Sequence, residues 1–265
     1  MLRVGDKVVL YDTGPEVEGV FSAAESVLLP NLRALGIRRI DTLVISHADN
    51  DHSGGIGLIV DEYDIGRILT GEPEAVREKL GRYTNGRGLK QMQVQSCVGQ
   101  ENISTDLSLS FWQAQGGFTG NDASCVLTAR HKTSGIEWVF PGDISTATES
   151  LYLRARAKKL AASPPAQLIV IAPHHGSKTS SSPAWISALS PDRVVYTAGY
   201  RHRYGHPHPD ITARYREAGA EAFSTACSGS ITMSITGDTI QAQETRHQSP
   251  FWISGPGQTR DQCKI

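Results

Sequence analysis

The sequence predicts a mixed α/β fold that forms one large domain or two small ones. Segments with the hydrophobic spacing of strands alternate with segments that have the spacing of helices along its 265 residues. The hydrophobic content is 39% and the charged content 20%, which is the composition of an ordinary globular protein and excludes a disordered chain. A chain of this length can bury a large core.

The first half of the chain alternates between predicted strands and helices. Gly5-Asp6 has the composition of a hairpin turn, and the following strand runs to Tyr11. So few residues precede this turn that we expect the chain to be cut from a longer one, with its first strand truncated. Further along, strands are predicted over 42–46, 65–70 and 107–113, helices over 25–35, 54–63 and 74–83, and a turn over 84–88.

The second half continues the alternation and ends in a hairpin. Strands are predicted over 124–130, 138–140, 167–172 and 194–197, helices over 150–162 and 209–218, and a closing hairpin over 230–235 and 239–243. After His247 the chain is rich in Pro, Gly and polar residues, so we expect a flexible tail over 247–265 and a single domain over 1–246.

Net charge and cysteine spacing narrow the classes of function. The formal charge of −1 offers no whole-molecule attraction for nucleic acid, so an anionic partner must be bound by local Lys and Arg clusters. The cysteines at 97, 125, 227 and 263 form no CxxC pair, and we predict free buried thiols. Since the chain has no apolar run of about 18 residues and no signal peptide, we expect a soluble domain.

Possible metal ligands crowd into the segment SHADNDHSGG, at 46–55, directly after a predicted apolar strand. Alone, each histidine or aspartate in it is better explained as a structural or turn residue. Together they indicate a metal centre, because imidazole and carboxylate are the ligands that suit Zn, Mn or Fe. Further Asp and His residues follow other predicted strands, which suggests one shared rim of strand ends: Asp12, Asp143, His174 and His175.

The segments DTGP, SHADNDHSGG, PGD, HHGSKTSSS and RYGHPHP occur in the order that is typical of a known family. In this respect the sequence resembles the metallo-β-lactamase superfamily, and within it the C-terminal hydrolase domain of ComEC-type DNA-internalisation proteins. The resemblance extends from about Lys7 to about Gln243. It implies an α+β fold, a four-layer αββα sandwich with the metal site at one edge of the β-sandwich.

The superfamily motif H-x-H-x-D-H matches residues 47–52, within SHADNDHSGG, with one departure. Asp49 stands where the motif has its second histidine, as it does in the ComEC pattern. A carboxylate at this position biases the site towards harder ions such as Mn. The resemblance implies these metal ligands: His47, Asp49, Asp51, His52, Asp143 and His175.

The third superfamily histidine is missing. It would fall at 121–124, where Asn121 or Asp122 is the nearest polar substitute, and His131 is a weak alternative. The metal site on that side is therefore expected to have fewer protein ligands.

The other superfamily positions have matching residues. Asp143 matches the aspartate that bridges the two metals, and His175 matches the last ligand, with His174 as the less favoured alternative. Asp12 matches the aspartate that orients the ligand segment.

Two divalent ions, Mn or Zn, would lie about 3.5 to 4 Å apart in such a centre. A water bridging them ionises near neutral pH, and the resulting hydroxide is the expected nucleophile. Asp51 either accepts a hydrogen bond from it or binds the second ion. His206 and His208 are the candidates for the general acid that protonates the leaving group, and Lys178 could bind phosphate.

Phosphate oxygens could also be bound by polar groups near these histidines. The candidates are Ser177, Lys178 and Thr179, the backbone N–H groups of 176–182, and those of 53–55 at a predicted helix start.

The substrate is harder to predict, because the same metal centre serves lactams, thioesters, lactones and phosphodiesters. Arg201, Arg203 and Tyr204 form the basic and aromatic group nearest to the candidate acid, which suits single-stranded nucleic acid. The helix predicted over 150–162 carries a second run of basic residues, although such a run is usually just the solvent-exposed face of a helix.

The resemblance to ComEC implies a nuclease that acts on DNA, and the expected role is degradation of the strand that is not transported during DNA uptake. It also implies a membrane channel domain in the same longer protein, attached to the bacterial inner membrane on a side that the sequence does not determine. Two alternatives stay open: a small-molecule hydrolase of the same superfamily, and a catalytically weak nucleic-acid-binding module.

Overall fold

The structure is a computed structural model that describes residues 1–84, 92–200 and 204–248. It divides into two compact units, Met1–Leu127 with Pro141–Ile144, and Thr128–Phe140 with the chain from Ser145 onward. Arg201 and Arg203, most of the turn predicted over 84–88 and most of the tail predicted over 247–265 lie outside the described residues. Within the described ranges, no helix has the length and apolar character needed to cross a membrane.

The first unit contains most of the elements predicted for the first half of the chain. Its strands are β1 (Leu2–Val4), β2 (Lys7–Tyr11), β3 (Glu16–Val17), β4 (Phe21–Ser22), β5 (Arg39–Ile45), β6 (Asp64–Thr70), β7 (Val94–Ser96), β8 (Gly99–Asn102) and β9 (Leu107–Trp112). Its α-helices are α1 (Leu29–Ala34), α2 (Asn50–Ser53), α3 (Ile56–Glu62) and α4 (Pro73–Thr84).

The main sheet of the first unit has the strand order β1-β2-β5-β6-β7. The pair β1 and β2 is antiparallel, and the other neighbours are parallel. The core on this sheet is continuous and apolar, with Leu10, Leu43, Ile56 and Leu80 at most 1% exposed. Strand β5 is buried along almost its whole length, as expected of a parallel strand covered on both faces.

The helix predicted over 25–35 forms in two parts. Ala24–Leu28 is π-helical and Leu29–Ala34 is α-helical, with the proline of this segment in the first turn of the α-helix. Proline is tolerated there because its missing N–H has no partner within the helix. Gly36 follows with φ of 67°, the left-handed conformation that ends helices, as predicted.

The parallel strands place their carboxyl ends at one edge of this sheet. Asp12 follows β2, Ser46 and His47 follow β5, and Glu72 and Cys97 come shortly after β6 and β7. Of the residues predicted to share one rim of strand ends, Asp12 and the segment 47–52 therefore follow neighbouring parallel strands of this sheet.

The second unit contains the remaining elements. Its strands are β10 (Val126–His131, which begins in the first unit), β11 (Ile136–Phe140), β12 (Gln167–Ile171), β13 (Arg193–Tyr196), β14 (Glu221–Ser224), β15 (Ile231–Thr236) and β16 (Thr239–Glu244). Its α-helices are α5 (Thr146–Ala162), α6 (Pro183–Leu189), α7 (Pro209–Glu217) and α8 (Thr225–Ser228).

Strands β11 to β14 are consecutive neighbours and all parallel, while β15 and β16 form the predicted closing hairpin. Helix α6 was not predicted, because it is short and its start lies within a run of serines. The structure explains its formation: the Ser182 side chain accepts a hydrogen bond from the Trp185 N–H, and proline occupies the first turn.

The prediction of free thiols is wrong for the described cysteines. Cys97 and Cys125 form a disulfide, and Cys227 is also disulfide-bonded. The spacing of 28 residues between Cys97 and Cys125 carries no local signal. They meet because the fold brings the residue after β7 to the residue before β10.

Candidate metal centre

The segment between β5 and α3 folds so that its histidines face each other. Asp49 has an extended conformation directly before α2, and its carbonyl accepts hydrogen bonds from the N–H groups of His52 and Ser53. This tight turn brings the ring centroids of His47 and His52 to 4.3 Å from each other. Both rings are buried, whereas the Asp49 carboxylate is 58% exposed.

Three of the predicted ligands form a close cluster. Asp51, His52 and Asp143 each offer a ligand atom, and these atoms lie within 4.8 Å of one another. His52 Nε2 is 3.1 Å from Asp143 Oδ1 and 3.8 Å from Asp51 Oδ2. Gly142 has φ of 63°, and a Cβ there would lie 2.8 Å from the Ser124 side chain, so the turn before Asp143 requires glycine.

The Asp12 carboxylate contacts His52 and Ser46. Its Oδ2 is 2.8 Å from His52 Nδ1 and 3.0 Å from Ser46 Oγ, and its Oδ1 accepts the Ser46 N–H. Since a carboxylate only accepts hydrogen bonds, His52 must donate from Nδ1. This tautomer leaves the lone pair on Nε2, which is the atom that faces Asp143 and Asp51.

His47 is oriented in the same way by hydroxyl groups. Its Nδ1 lies 3.1 Å from Ser46 Oγ and 3.3 Å from Ser124 Oγ. Its Nε2 is buried and has no hydrogen-bond partner in the described parts of the chain, and Asp49 Oδ2 lies 3.6 Å from it. A buried ring nitrogen without a partner is costly unless it binds a cation. The donor set of imidazoles and carboxylates therefore fits divalent metal ions.

The electrostatics of the centre also favour a cation. Burial lowers the pKa of His52, but the carboxylates of Asp12 and Asp143 outweigh burial and hold this pKa well above its usual value. Burial and the neighbouring His52 lower the pKa of His47. The excess of carboxylates thus attracts positive charge to this cluster, as a metal-binding site does.

The histidines of the HHGSKTSSS segment belong to the second unit and have strained backbones. His174 and His175, with φ of 49° and 55°, adopt the left-handed conformation that is rare outside glycine. His175 Nδ1 lies 3.2 Å from Thr197 Oγ1, and His174 Nδ1 lies 2.8 Å from Thr179 Oγ1. Each ring is thus oriented by a threonine hydroxyl at Nδ1.

His206 lies among these rings, whereas His208 has a structural role. The centroid of His206 is 6.5 Å from that of His175 and 6.0 Å from those of His174 and Tyr204. His208 Nδ1 accepts the Asp210 N–H and caps α7. His206 thus lies beside three aromatic rings, whereas the His208 ring is engaged in capping α7.

The other predicted phosphate-binding groups are largely occupied by protein partners. Lys178 Nζ lies 3.0 Å from Asp210 Oδ2, and both side chains are more than half exposed. The Ser177 hydroxyl accepts from the Thr179 N–H and hydroxyl.

The predicted backbone cradles for phosphate are not supported. The N–H groups of Ser181 and Ser182 donate to the buried Glu149 carboxylate, and those of Ser177 and Ser180 donate to carbonyls of the same loop. The N–H groups of 53–55 likewise donate to backbone carbonyls. These donors are satisfied within the protein, so phosphate would have to displace existing hydrogen bonds.

One residue of the basic run of α5 is buried, whereas Arg154 and Lys158 are exposed. Arg156 is 9% exposed, and its guanidinium binds the Glu137 carboxylate and, at 2.9 Å, the Tyr152 hydroxyl. This arginine stabilises the second unit and is withdrawn from any nucleic-acid interface.

Several residues near the centre were missed from the sequence. Glu72 accepts the Ala48 N–H at 2.8 Å and the Gly120 N–H at 2.9 Å, so it ties the ligand segment to 120–124. Lys79 donates to the Ser53 hydroxyl at 2.6 Å, and burial lowers its pKa. Asn121, predicted near the centre, acts through its carbonyl, which accepts from the N–H and hydroxyl of Ser124. A glutamate after a strand, such as Glu72, or a lysine within a helix, such as Lys79 in α4, has no sequence signature that distinguishes such a role.

Comparison with known proteins identifies related sequences. The family model described as "Metallo-beta-lactamase superfamily" matches residues 1–199. "Competence protein ComA" of Neisseria gonorrhoeae is 30% identical over 97% of this chain and 33% of its own length. "ComE operon protein 3" of Bacillus subtilis (strain 168) is 26% identical over 84% of this chain and 29% of its own length. "Recombination protein 2" of Haemophilus influenzae is 27% identical over 94% of this chain and 29% of its own length. The chain thus spans about a third of the length of these relatives.

Proposed function

Because the chain belongs to the metallo-β-lactamase superfamily, whose members are generally hydrolases, we propose that it is a metal-dependent phosphodiesterase that acts on DNA. The observation that carries this proposal is the pair of buried histidines whose Nε2 atoms face carboxylates. His47 Nε2 has no hydrogen-bond partner among the described residues, and His52 Nε2 lies 3.1 Å from Asp143. A buried ring nitrogen without a partner, such as His47 Nε2, is costly unless it binds a cation, and imidazole and carboxylate together suit a divalent ion.

The ligands would divide into two groups. His47 and Asp49 would hold one ion, Asp51 and His52 the other, and Asp143 would bridge them, with His175 as the last ligand. Bound here, two divalent ions would lower the pKa of a water enough to supply a hydroxide nucleophile. Asp12 and Ser46 keep both histidines in the tautomer that binds a cation through Nε2.

Residues of the second unit would serve the substrate. We assign to His206 the protonation of the leaving alkoxide, since its ring is half-buried among His174, His175 and Tyr204. Lys178 would bind a phosphate oxygen by exchanging its exposed partner Asp210, an exchange that costs little at the surface. Ser177, Thr179 and His208 would line the same region.

DNA as the substrate rests on the relatives and on the arginines of the RYGHPHP region. The name of one relative refers to competence, that of a second to the ComE operon and that of a third to recombination. Arg201, Arg203 and Tyr204 are next to His206 in sequence, and such basic and aromatic groups bind single strands. In a longer protein, the domain would act beside a membrane channel during DNA uptake.

The test compares cleavage of end-labelled single-stranded and duplex DNA with Mn, Zn and Mg. We expect cleavage of single-stranded DNA with Mn or Zn. The substitutions Arg201→Ala and Arg203→Ala together should weaken DNA binding and flatten its salt dependence by up to about two phosphate contacts. Arg38→Ala with Arg82→Ala removes the same charge from exposed positions of the first unit and should change neither property.

His206→Ala should have the opposite effect. It should leave DNA binding intact and lower the rate of cleavage by about 10²-fold or more, because the alkoxide leaves poorly without a proton. Hydrolysis of bis-nitrophenyl phosphate, whose nitrophenolate leaves unaided, should survive both changes. If the double arginine variant binds and cuts DNA normally at every salt concentration, the small-molecule hydrolase is the better assignment.

A further inference from the structure

Ser124 joins two parts of the candidate metal centre through one hydroxyl group. Its side chain is fully buried, and its Oγ contacts three groups. Oγ lies 2.6 Å from the Asn121 carbonyl, 3.1 Å from the Asp143 N–H nitrogen and 3.3 Å from His47 Nδ1. One oxygen atom therefore contacts the residue that begins the ligand set and the residue that would bridge the ions.

The direction of each hydrogen bond follows from the groups involved. A carbonyl can only accept, so the hydroxyl proton of Ser124 goes to Asn121. The backbone N–H of Asp143 can only donate, so Oγ accepts it. The remaining lone pair of Oγ faces His47 Nδ1, which must then carry the proton. The Ser124 hydroxyl thus uses its one donor and both of its acceptor lone pairs. Because His47 is protonated at Nδ1, its free lone pair lies on Nε2.

The chain around Ser124 is held firmly at both ends. At one end, Glu72 accepts the Gly120 N–H. At the other end, Cys125 is disulfide-bonded to Cys97, donates its N–H to the Ser46 carbonyl at 2.8 Å and accepts the Tyr11 hydroxyl at 2.6 Å. The hydroxyl is therefore presented by a fixed segment, so the tautomer of His47 does not depend on a mobile loop.

We propose that Ser124 is a positioning residue of the metal centre, which keeps His47 in the tautomer protonated at Nδ1 and holds the backbone of Asp143 beside it. This inference rests on the proposed metal-dependent function. A contact with substrate is excluded because the Ser124 side chain is fully buried. Ser46 also contacts His47 Nδ1, at 3.1 Å, so the loss of Ser124 should weaken the tautomer preference without abolishing it.

The test uses Ser124→Ala and a matched control that the chain provides. Ser134 is also buried, and its Oγ lies 2.7 Å from Nδ1 of His131, a histidine at the end of β10 that the proposed centre does not use. Ser134→Ala therefore also removes a serine hydroxyl that contacts a histidine Nδ1, although this contact is part-buried and His131 Nδ1 accepts the Ser134 N–H. The tautomers of His47 and His131 are measured by ¹⁵N NMR of the metal-free protein, and the affinities for Mn and Zn by calorimetry.

In the wild type, we expect His47 to be protonated at Nδ1. Ser124→Ala should shift His47 towards a mixture of tautomers and weaken metal binding by about tenfold or more, as changes in the groups that orient metal ligands do. Ser134→Ala should alter only the signals of His131 and leave the metal affinity unchanged.

Two results would overturn the role of Ser124. One is a wild-type His47 protonated at Nε2, a measurement that needs no variant and is independent of how well Ser124→Ala folds. The other is a folded Ser124→Ala protein with wild-type His47 tautomer and metal affinity. If the wild type binds neither Mn nor Zn, the proposed function fails, while the tautomer of His47 still decides the role of Ser124.

Discussion

Individual residues at the predicted site adopt backbone conformations that side chains normally avoid. Asp12, His174 and His175 have φ between 49° and 59°. A residue held in this region costs on the order of 1–3 kcal/mol, so the surrounding structure must compensate. For Asp12 the compensation is visible, since its carboxylate accepts from the Ser46 N–H and lies 2.8 Å from His52 Nδ1. Strain at these positions is what a site with fixed ligand geometry requires.

The identity of residue 49 should set the metal preference. Asp49→His replaces a hard oxygen ligand by a softer nitrogen, so the preference for Zn over Mn should rise. Competition calorimetry with both ions measures it. Asp61→His, which adds an imidazole to an exposed position of α3, is the control and should leave the preference unchanged. An unchanged preference in Asp49→His would show that Asp49 is not a ligand.

At the residue scale, the sequence predicts the histidines and aspartates of the centre but not the groups that orient them. His47, Asp51, His52 and Asp143 stand out because metal-binding residue types follow strands. Ser124 and Glu72 do not, since serine and glutamate occur in many unrelated loops. Their roles depend on contacts between segments far apart in sequence, which only the folded chain reveals.

At the scale of structural elements, short segments between strands and helices are held by a disulfide or by hydrogen bonds to a buried carboxylate. The disulfide between Cys97 and Cys125 joins the end of β7 to the start of β10, and the buried Glu149 of α5 accepts the N–H groups of Ser181 and Ser182. Periodicity predicted the long elements well, for example α4 over 74–83 against Pro73–Thr84. It missed β7, β8 and α6, since each is too short to show a period.

The disulfide should contribute measurably to stability. Replacing Cys97 and Cys125 together by alanine opens a loop with a sequence separation of 28 residues. The loop-entropy relation gives a loss of about 3–4 kcal/mol in the free energy of unfolding. Denaturant unfolding of the wild type and the variant, both kept oxidised, measures it, because reduction would also break the disulfide of Cys227. Equal stability of the oxidised wild type and the oxidised variant would contradict a structural role for the Cys97–Cys125 disulfide.

The whole molecule has the fold class and family that the sequence predicted. The motifs in their order indicated the metallo-β-lactamase superfamily and the ComEC type, and both are confirmed. The mixed α/β structure with several sheets agrees with the predicted α+β class. In each unit, parallel strands place candidate residues just after the carboxyl ends of the strands, as Asp12 and His47 come after β2 and β5 and His174 comes after β12.

The proposal that two metal ions act together is tested most directly by Asp143→Ala, with metal content and DNA cleavage measured on the same samples. The side chain of Asp143 is almost fully buried, 3.1 Å from His52 Nε2, and it is the carboxylate proposed to bridge the ions. Asp61→Ala, at an exposed position of α3, is the matched control. We expect Asp143→Ala to lose most of the bound metal and all detectable hydrolysis, while Asp61→Ala retains both. Activity near that of the wild type in Asp143→Ala would contradict the two-metal assignment.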